Sequence, residues 1–228
     1  MNYHRDKDYL VSEKQFKNIF KKRFDLISLS HPLGGPVLEI GCANGVFLDL
    51  FTLGETWGVE PSASGNTAKR KGHRIIKGLF EKAILPENYF DLVIINHTLE
   101  HMDSPDDVLI KVNSVLKKNG LVFVDVPNFG SLSSKFLGKQ WPYLLPDEHK
   151  HQFTKESLTK LLEDSRFKVV RWESRSGLFE YANPLLELWQ GLSGLKKRFF
   201  TDLFAIPYDL FATLLNMGDS MSFVARKI

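Results

Sequence analysis

Val37-Leu38-Glu39-Ile40-Gly41-Cys42-Ala43-Asn44-Gly45 reads as an apolar strand that runs into a turn of small residues. The helical-looking Val46-Phe47-Leu48-Asp49-Leu50-Phe51 follows directly. Small residues at such a turn let a ligand approach the backbone, and helix N-terminal amides would point at it. The dinucleotide pattern G-x-G-x-x-G would need its third glycine five residues after Gly41, where Val46 stands. Here the glycine comes one residue early, at Gly45, and an acid, Glu39, precedes the loop. That acid would repel a pyrophosphate and attract an ammonium.

Two further signals lie downstream. Trp57-Gly58-Val59-Glu60 is a short strand ending in an acid 19 residues after Gly41, followed by Pro61-Ser62. A carboxylate at the tip of the adjacent strand can accept both hydroxyl hydrogens of a ribose. This spacing suits a nicotinamide dinucleotide equally, so Glu60 alone does not separate cofactors. Phe90-Asp91-Leu92-Val93-Ile94-Ile95-Asn96-His97-Thr98-Leu99-Glu100-His101 is a buried strand that turns polar at Asn96, on the edge where open α/β sheets bind ligands. Asp103-Ser104-Pro105 then opens a helix through Leu116, and Lys117-Lys118-Asn119-Gly120 is expected to close it with a C-cap glycine. The strand Leu121 to Val126 ends in Pro127-Asn128.

Short apolar runs at 36–42, 56–60, 73–77, 90–96, 120–126, 168–173 and 221–226 alternate with helical patterns around 9–28, 45–53, 64–71, 105–118 and 154–165. Alternation of this kind implies a doubly wound α/β fold with a mostly parallel seven-stranded sheet. In the first helix Phe16, Phe20, Phe24 and Ile27 recur at helical spacing, making residues 1–30 a helical arm. Between the last two strands, 179–217 is a helical insertion. Its large apolar residues Leu185, Leu188, Trp189, Leu192, Leu195, Phe199 and Leu203 flank Lys196-Lys197-Arg198. Such a pair either packs on the sheet or lies on a membrane or over a greasy substrate.

The glycine loop resembles the first motif of the class I S-adenosylmethionine-dependent methyltransferases, an acid, any residue, then Gly-x-Gly-x-Gly, with Ala43 in place of the middle glycine. The stretch around Asp91, Leu99-Glu100-His101, Pro105, Leu116-Lys117 and Gly120 resembles the group that methylates small molecules, quinones and sugars. A weaker likeness continues through His149-Lys150-His151-Gln152-Phe153-Thr154, where the family has His-x-x-x-Phe-Ser/Thr, and on to Phe167. Arg166 stands where the family usually has glycine.

The resemblance implies one Rossmann-like domain over 1–228, with an antiparallel last strand and S-adenosylmethionine as cofactor. Gly41, Cys42, Ala43 and Gly45 would meet its methionine moiety and Glu39 its ammonium. Glu60 and Pro61 would sit at the ribose, Leu79 and Phe80 at the adenine, and Asn96 and His97 near the sulfonium. The acceptor would be a small molecule or a lipid- or glycan-linked one, methylated on oxygen, nitrogen or carbon. A base is needed only where the acceptor must lose a proton. His149 is the first choice, with His151 and His101 as alternates. A non-catalytic cofactor-binding protein on the same fold and a nicotinamide-dependent oxidoreductase are the rival readings.

Composition sets outer bounds. The 228 residues are 43% hydrophobic and 25% charged, with a net charge of +3 that is scattered along the chain, so no nucleic-acid partner is expected. Cys42 is the only cysteine, which excludes an intramolecular disulfide and suits a reducing cytoplasm. No stretch reaches the ~20 apolar residues of a membrane span, which allows peripheral contact at most, through 179–217. No metal site is expected, because one cysteine and no His-x-x-x-His or His-x-x-Glu-His leave no strong ligand set. His4, His31 and His73 read as solvated.

Overall fold

The computed structural model describes residues 13–30, 34–193 and 198–228. His4, His31, Leu195, Lys196, Lys197 and the first residues of the expected N-terminal helix lie outside them. The sheet has seven strands: β1 (Val37–Ile40), β2 (Thr56–Glu60), β3 (Arg74–Lys77), β4 (Phe90–Asn96), β5 (Leu116–Pro127), β6 (Phe167–Arg175) and β7 (Ser220–Lys227). Their order is β3-β2-β1-β4-β5-β7-β6. The first five strands are mutually parallel, and β7 slots antiparallel between β5 and β6. This is a doubly wound, Rossmann-like sheet with the antiparallel last strand that the resemblance implied.

Period-2 alternation divides the core. Leu38, Ile40, Val93, Ile95, Val122 and Val124 face α3 (Pro105–Val115) and α5 (Lys155–Asp164). Val37, Leu92, Ile94, Leu121 and Phe123 face α1 (Glu13–Ser28), whose Phe20 stacks on Phe47 at 4.8 Å. Burying a side chain of this size contributes ~1.5–3 kcal/mol, so each face is held by many such contacts. The same alternation turns Glu39 and Asp125 toward the α1 side, which is where the charged part of the site forms.

Local chemistry sets most element ends. The Thr154 hydroxyl accepts from the Ser157 amide and the Ser157 hydroxyl accepts from the Thr154 amide, a reciprocal cap that starts α5. Arg166 takes φ 63°, so the turn before β6 keeps the left-handed form that glycine usually supplies. Three expectations fail. The segment 45–53 forms only a single 3-10 turn at Leu48–Leu50, where Asp49 pairs with Lys71 and with His73, which is buried between Asp49 and Thr56 rather than solvated as expected. α3 stops at Val115, since Leu116 already pairs with Phe90, and the left-handed residue is Asn119 rather than Gly120.

α2 (Gly65–Arg70) bridges β2 and β3, and α4 (Leu132–Leu137) follows β5. The segment 179–217 carries the expected helical pair, α6 (Pro184–Ser193) and α7 (Arg198–Leu214). α6 leans on α1, where the Ala182 amide donates to the Asn18 carbonyl and Gln15 hydrogen-bonds Glu187. Among the described residues no helix is long and apolar enough to cross a membrane.

Candidate functional site

The carboxyl ends of β1, β2, β4 and β5 meet at one edge. Gly41 sits at φ 75°, and a Cβ built there would come within 2.7 Å of the Thr98 hydroxyl. The Thr98 hydroxyl itself donates to the Ile40 carbonyl, so the turn is pinned to the strand beside it. Ala43 also takes a positive φ, 45°, so the one non-glycine of the loop carries strain that its small side chain keeps low. Gly45 needs glycine on the same two counts as Gly41: it sits at φ 76°, and a Cβ would meet His73 and Ala68 at 2.8 and 2.9 Å. Cys42 is buried with its sulfur against Gly58, and burial pushes its thiol far up, so only its backbone belongs to the loop surface.

Glu60 is tied to the loop. One carboxylate oxygen accepts from the Ala43 amide at 2.8 Å and the other from the Ser62 amide at 2.8 Å. A carboxylate offers about four lone-pair sites, so roughly two remain for hydroxyl donors. An opening beside it is lined by Glu60, Ser62, Asn66, Lys69 and Lys77. Leu79 is half exposed at the next strand end, whereas Phe80 is buried in the core under the Lys111 ammonium. Of the two residues expected at the adenine, Leu79 thus offers its side chain to the surface and Phe80 packs into the core. Pro61 is exposed.

Glu39 is buried, and burial, then Glu60 and Asp49, hold its carboxyl well above the usual range. One of its oxygens, both polar atoms of the Asn44 side chain and the Asn96 amide oxygen are buried without a hydrogen-bond partner. Buried polar groups are nearly always satisfied. Three orphaned acceptors and one donor, the Asn44 amide nitrogen, around a glycine turn therefore fit a ligand that brings positive charge and donors as well as an acceptor. An amino-acid ammonium beside a ribose meets that description, and S-adenosylmethionine carries both.

On the other half of the edge the chemistry is ionic. His97, at φ 48°, places its ring 3.1 Å from an Asp125 oxygen and 3.5 Å from a Glu100 oxygen. Burial alone would lower its pKa, but hydrogen bonds and charge from Asp125 and Glu100 outweigh it and raise the pKa to about 9. His97 is thus an imidazolium at neutral pH and cannot accept a proton. Asp125 also takes Arg23 of α1 at 3.0 Å, Ser220 at 3.0 Å and Ser222 of β7. Arg23 reaches on to Glu180 at 3.5 Å, which links the insertion to the site. Burial opposes the Asp125 charge, yet Arg23 and His97 hold its carboxyl far below the ordinary range.

Glu100, His101 and His149 converge, with one ligand atom of each within 4.8 Å of the others. The His149 Nδ1–H donates to the Tyr143 carbonyl at 2.8 Å, the tautomer that contact requires, leaving Nε2 as a lone pair. Burial lowers the His149 pKa most, His101 and His97 lower it further, and Glu100 opposes them. The ring is neutral at pH 7. His101 is pinned through Nδ1 to the Glu148 carbonyl at 2.9 Å, and the two rings stand edge to face at 4.8 Å. His151 stacks on Phe153, with its amide on the Glu100 carbonyl at 3.1 Å. A neutral imidazole at His149 beside a buried carboxylate can handle a proton, and the trio is compact enough to hold a divalent cation. The expectation of no metal site considered the single cysteine and helical spacing; the fold brings His149 against the adjacent pair Glu100 and His101 of the 99–101 turn.

Arg23, Asp125, Glu100 and Glu180 were not singled out from sequence. Arg23 had a visible signal: it falls on the buried stripe Phe16, Phe20, Ile27 of α1, where a cation demands a partner. Asp125 interrupts an otherwise apolar strand. Glu180 had no signal.

Comparison with known proteins gives this geometry its context. The methyltransferase domain family matches residues 10–171. A ubiquinone biosynthesis O-methyltransferase of Rhodopseudomonas palustris is 29% identical over 177 residues, covering 71% of this chain and 68% of its own. The protein of that description from a Bradyrhizobium species is 30% identical over 176 residues, with the same coverage of 71% and 68%. Among solved structures, a methyltransferase of Thermotoga maritima described as a possible histamine N-methyltransferase aligns over 98% of both chains, with TM-score 0.65 and 18% identity. An S-adenosylmethionine-dependent methyltransferase of Archaeoglobus fulgidus aligns over 96% of this chain and 99% of its own, with TM-score 0.64 and 22% identity.

Proposed function

Because this chain belongs to the methyltransferase domain family and transfers a methyl group from S-adenosylmethionine to a small molecule, we propose that the acceptor is a hydroxyl of a lipid-linked, quinone-type precursor and that His149 takes its proton. The oxidoreductase and non-catalytic readings are not favoured beside these relatives. We read 1–228 as one domain, with the helical arm and the insertion as its acceptor-side walls. The O-methyltransferase relatives support oxygen as the target. Peripheral contact with the membrane that holds such an acceptor belongs to the same reading.

When bound, S-adenosylmethionine supplies an electrophilic methyl that needs no further activation. The protein's tasks are to hold it, align the acceptor and exclude water. Gly41, Ala43 and Gly45 of the loop would admit the methionine moiety, and the unpaired oxygen of Glu39 would take the ammonium. Glu60 would grip the ribose while keeping the loop in shape, with Leu79 against the base and Asn96 near the reacting end. His97 would orient Glu100 and balance its charge.

The observation that carries the base assignment is the His149 ring itself: neutral, with Nδ1–H fixed on the Tyr143 carbonyl and Nε2 as a lone pair beside Glu100. A hydroxyl proton passed to Nε2 would create an imidazolium that the Glu100 carboxylate stabilises. His149→Ala should lower turnover ~10²–10⁴-fold while calorimetric affinity for S-adenosylmethionine stays unchanged. Turnover is read as homocysteine release on prenylated hydroxyquinols, their tail-less analogues and glycolipids. Full activity in the variant would pass the role to His151 or His101, or show that no base is used. Loss of wild-type activity in a chelator, restored by a divalent metal, would reassign Glu100, His101 and His149 to holding a cation.

A further inference from the structure

α7 is built inside out. Its inward positions carry Asp209, Ala212 and Thr213. Asp209 and Ala212 are buried, and the Thr213 hydroxyl accepts from the Ser176 amide at 3.2 Å. Gly177 has no room for a side chain because Asp209 fills the space beside it. The outward positions, by contrast, are apolar: Phe204 is 81% exposed, Phe211 57% and Leu214 72%. A helix normally buries its apolar stripe. Here the inward stripe, with the half-buried Ala205 and Ile206 beside Ala212, is small and carries the polar bonds of Asp209 and Thr213, while the largest apolar side chains face outward.

The face extends to neighbouring elements. α6 packs on α7 and exposes Leu185 at 77% and Trp189 at 65%. α4 is joined to the end of α7 through the Leu132 amide on the Met217 carbonyl, and it exposes Phe136 at 93%. Large apolar side chains left exposed on elements that pack together mark an interaction site.

The charge around it selects the occupant. Lys135 and Lys139, on either side of Phe136, are exposed, and the sequence places Lys196-Lys197-Arg198 where α6 gives way to α7. The acids whose side chains are described on α6 and α7, Glu187 and Asp209, are both buried. A second copy of this chain would bring these cations against one another with no exposed acid among the described side chains of α6 and α7 to offset them. An anionic lipid surface would attract them while its acyl region takes the phenylalanines. Trp189 and Tyr208 also suit the boundary between headgroup and hydrocarbon.

We propose that the outward face of α6, α7 and α4 docks on an anionic membrane surface. The turn 177–180 lies directly behind α7, and its Glu180 reaches Arg23 and so Asp125 and His97. Docking would therefore set the acceptor half of the site against the bilayer. The inference sharpens the peripheral contact proposed above, yet it rests on exposure and charge and stands whichever acceptor is methylated.

The test is co-sedimentation of the full chain with phosphatidylglycerol-containing vesicles and with pure phosphatidylcholine vesicles, at low and physiological salt. Preferential binding to the anionic vesicles, weakened by salt, is expected. Phe204→Asp/Phe211→Asp should reduce the bound fraction about tenfold or more, with melting temperature and S-adenosylmethionine affinity unchanged, because both side chains face outward. If that variant fails to fold, Lys135→Glu/Lys139→Glu keeps the test open and should weaken anionic binding severalfold. Binding to neither vesicle overturns the proposal. So does a wild-type dimer by light scattering that the same substitutions dissociate. Calorimetry with S-adenosylmethionine reports separately on the methyltransferase reading.

Discussion

The two halves of the ligand edge are assembled by different means. The glycine-loop half is local: Glu60 closes on Ala43 across 17 residues, and one strand-turn-strand unit carries nearly all of it. The histidine half is gathered from the whole chain. Arg23 meets Asp125 across 102 residues, Ser220 meets it across 95, and His101 reaches Glu148 across 47. The first half is mostly backbone and neutral amides around the buried acids Glu39 and Glu60; the second is mostly charged side chains set against one another. A cofactor shared by a whole family can be held by a short local motif. An acceptor is held by whatever the remaining segments bring, and there the chain can vary without losing its chemistry.

That contrast breaks most sharply at Asp125. Asp125→Ala should leave Arg23 and His97 buried beside a missing charge, a change that typically costs ~3–5 kcal/mol. Denaturant unfolding should show a midpoint far below wild type, and it should be restored in part by Arg23→Met/Asp125→Leu. A midpoint within error of wild type would mean the ionic half is dispensable to the fold. On the other half, Gly41→Val should spare most of the stability and abolish cofactor binding. A branched side chain would strike Thr98 and resist φ 75°. Calorimetry that finds ordinary affinity in a folded Gly41→Val protein would remove the loop from the site.

Glu60→Ala is the intermediate case. It withdraws the acceptor from two backbone amides, each worth ~1–3 kcal/mol when left unsatisfied in a buried place. It also removes the grip on a ribose. Affinity for S-adenosylmethionine should fall more than affinity for methionine alone, measured by competition. An equal loss for both would show that Glu60 acts only by shaping the loop.

What the sequence made legible follows the same division. All seven strands and the ligand edge could be read, because strand period, glycine turns and acid positions are local signals. The helix expected over 45–53 could not be corrected from sequence, since Asp49 pairs with Lys71 and His73, which lie more than 20 residues on. His97 looked like a residue near a sulfonium until Asp125 and Glu100 were seen to charge it. The turn after β3 points Leu79 outward and Phe80 into the core, a difference between neighbours that residue type alone does not show.

The smallest expected effect is the most selective for the ionic half. His97 has an ordinary value of 6.5 and about 9 in the folded protein. A raised folded pKa means the folded state holds the proton more tightly. The stability it contributes is fully present below pH 6.5, declines between 6.5 and about 9, and is gone above. Each pH unit in that window is worth at most ~1.4 kcal/mol. Asp125 does not blur the window, because its folded carboxyl is depressed and its own contribution is lost only as pH falls below the carboxylate range. Unfolding free energies of wild type and His97→Gln, measured at pH 6, 7.5, 9 and 10, should therefore differ most at pH 6 and converge by pH 10. Parallel curves across that range would mean His97 is neutral in the fold, and the charged half would lose its central cation.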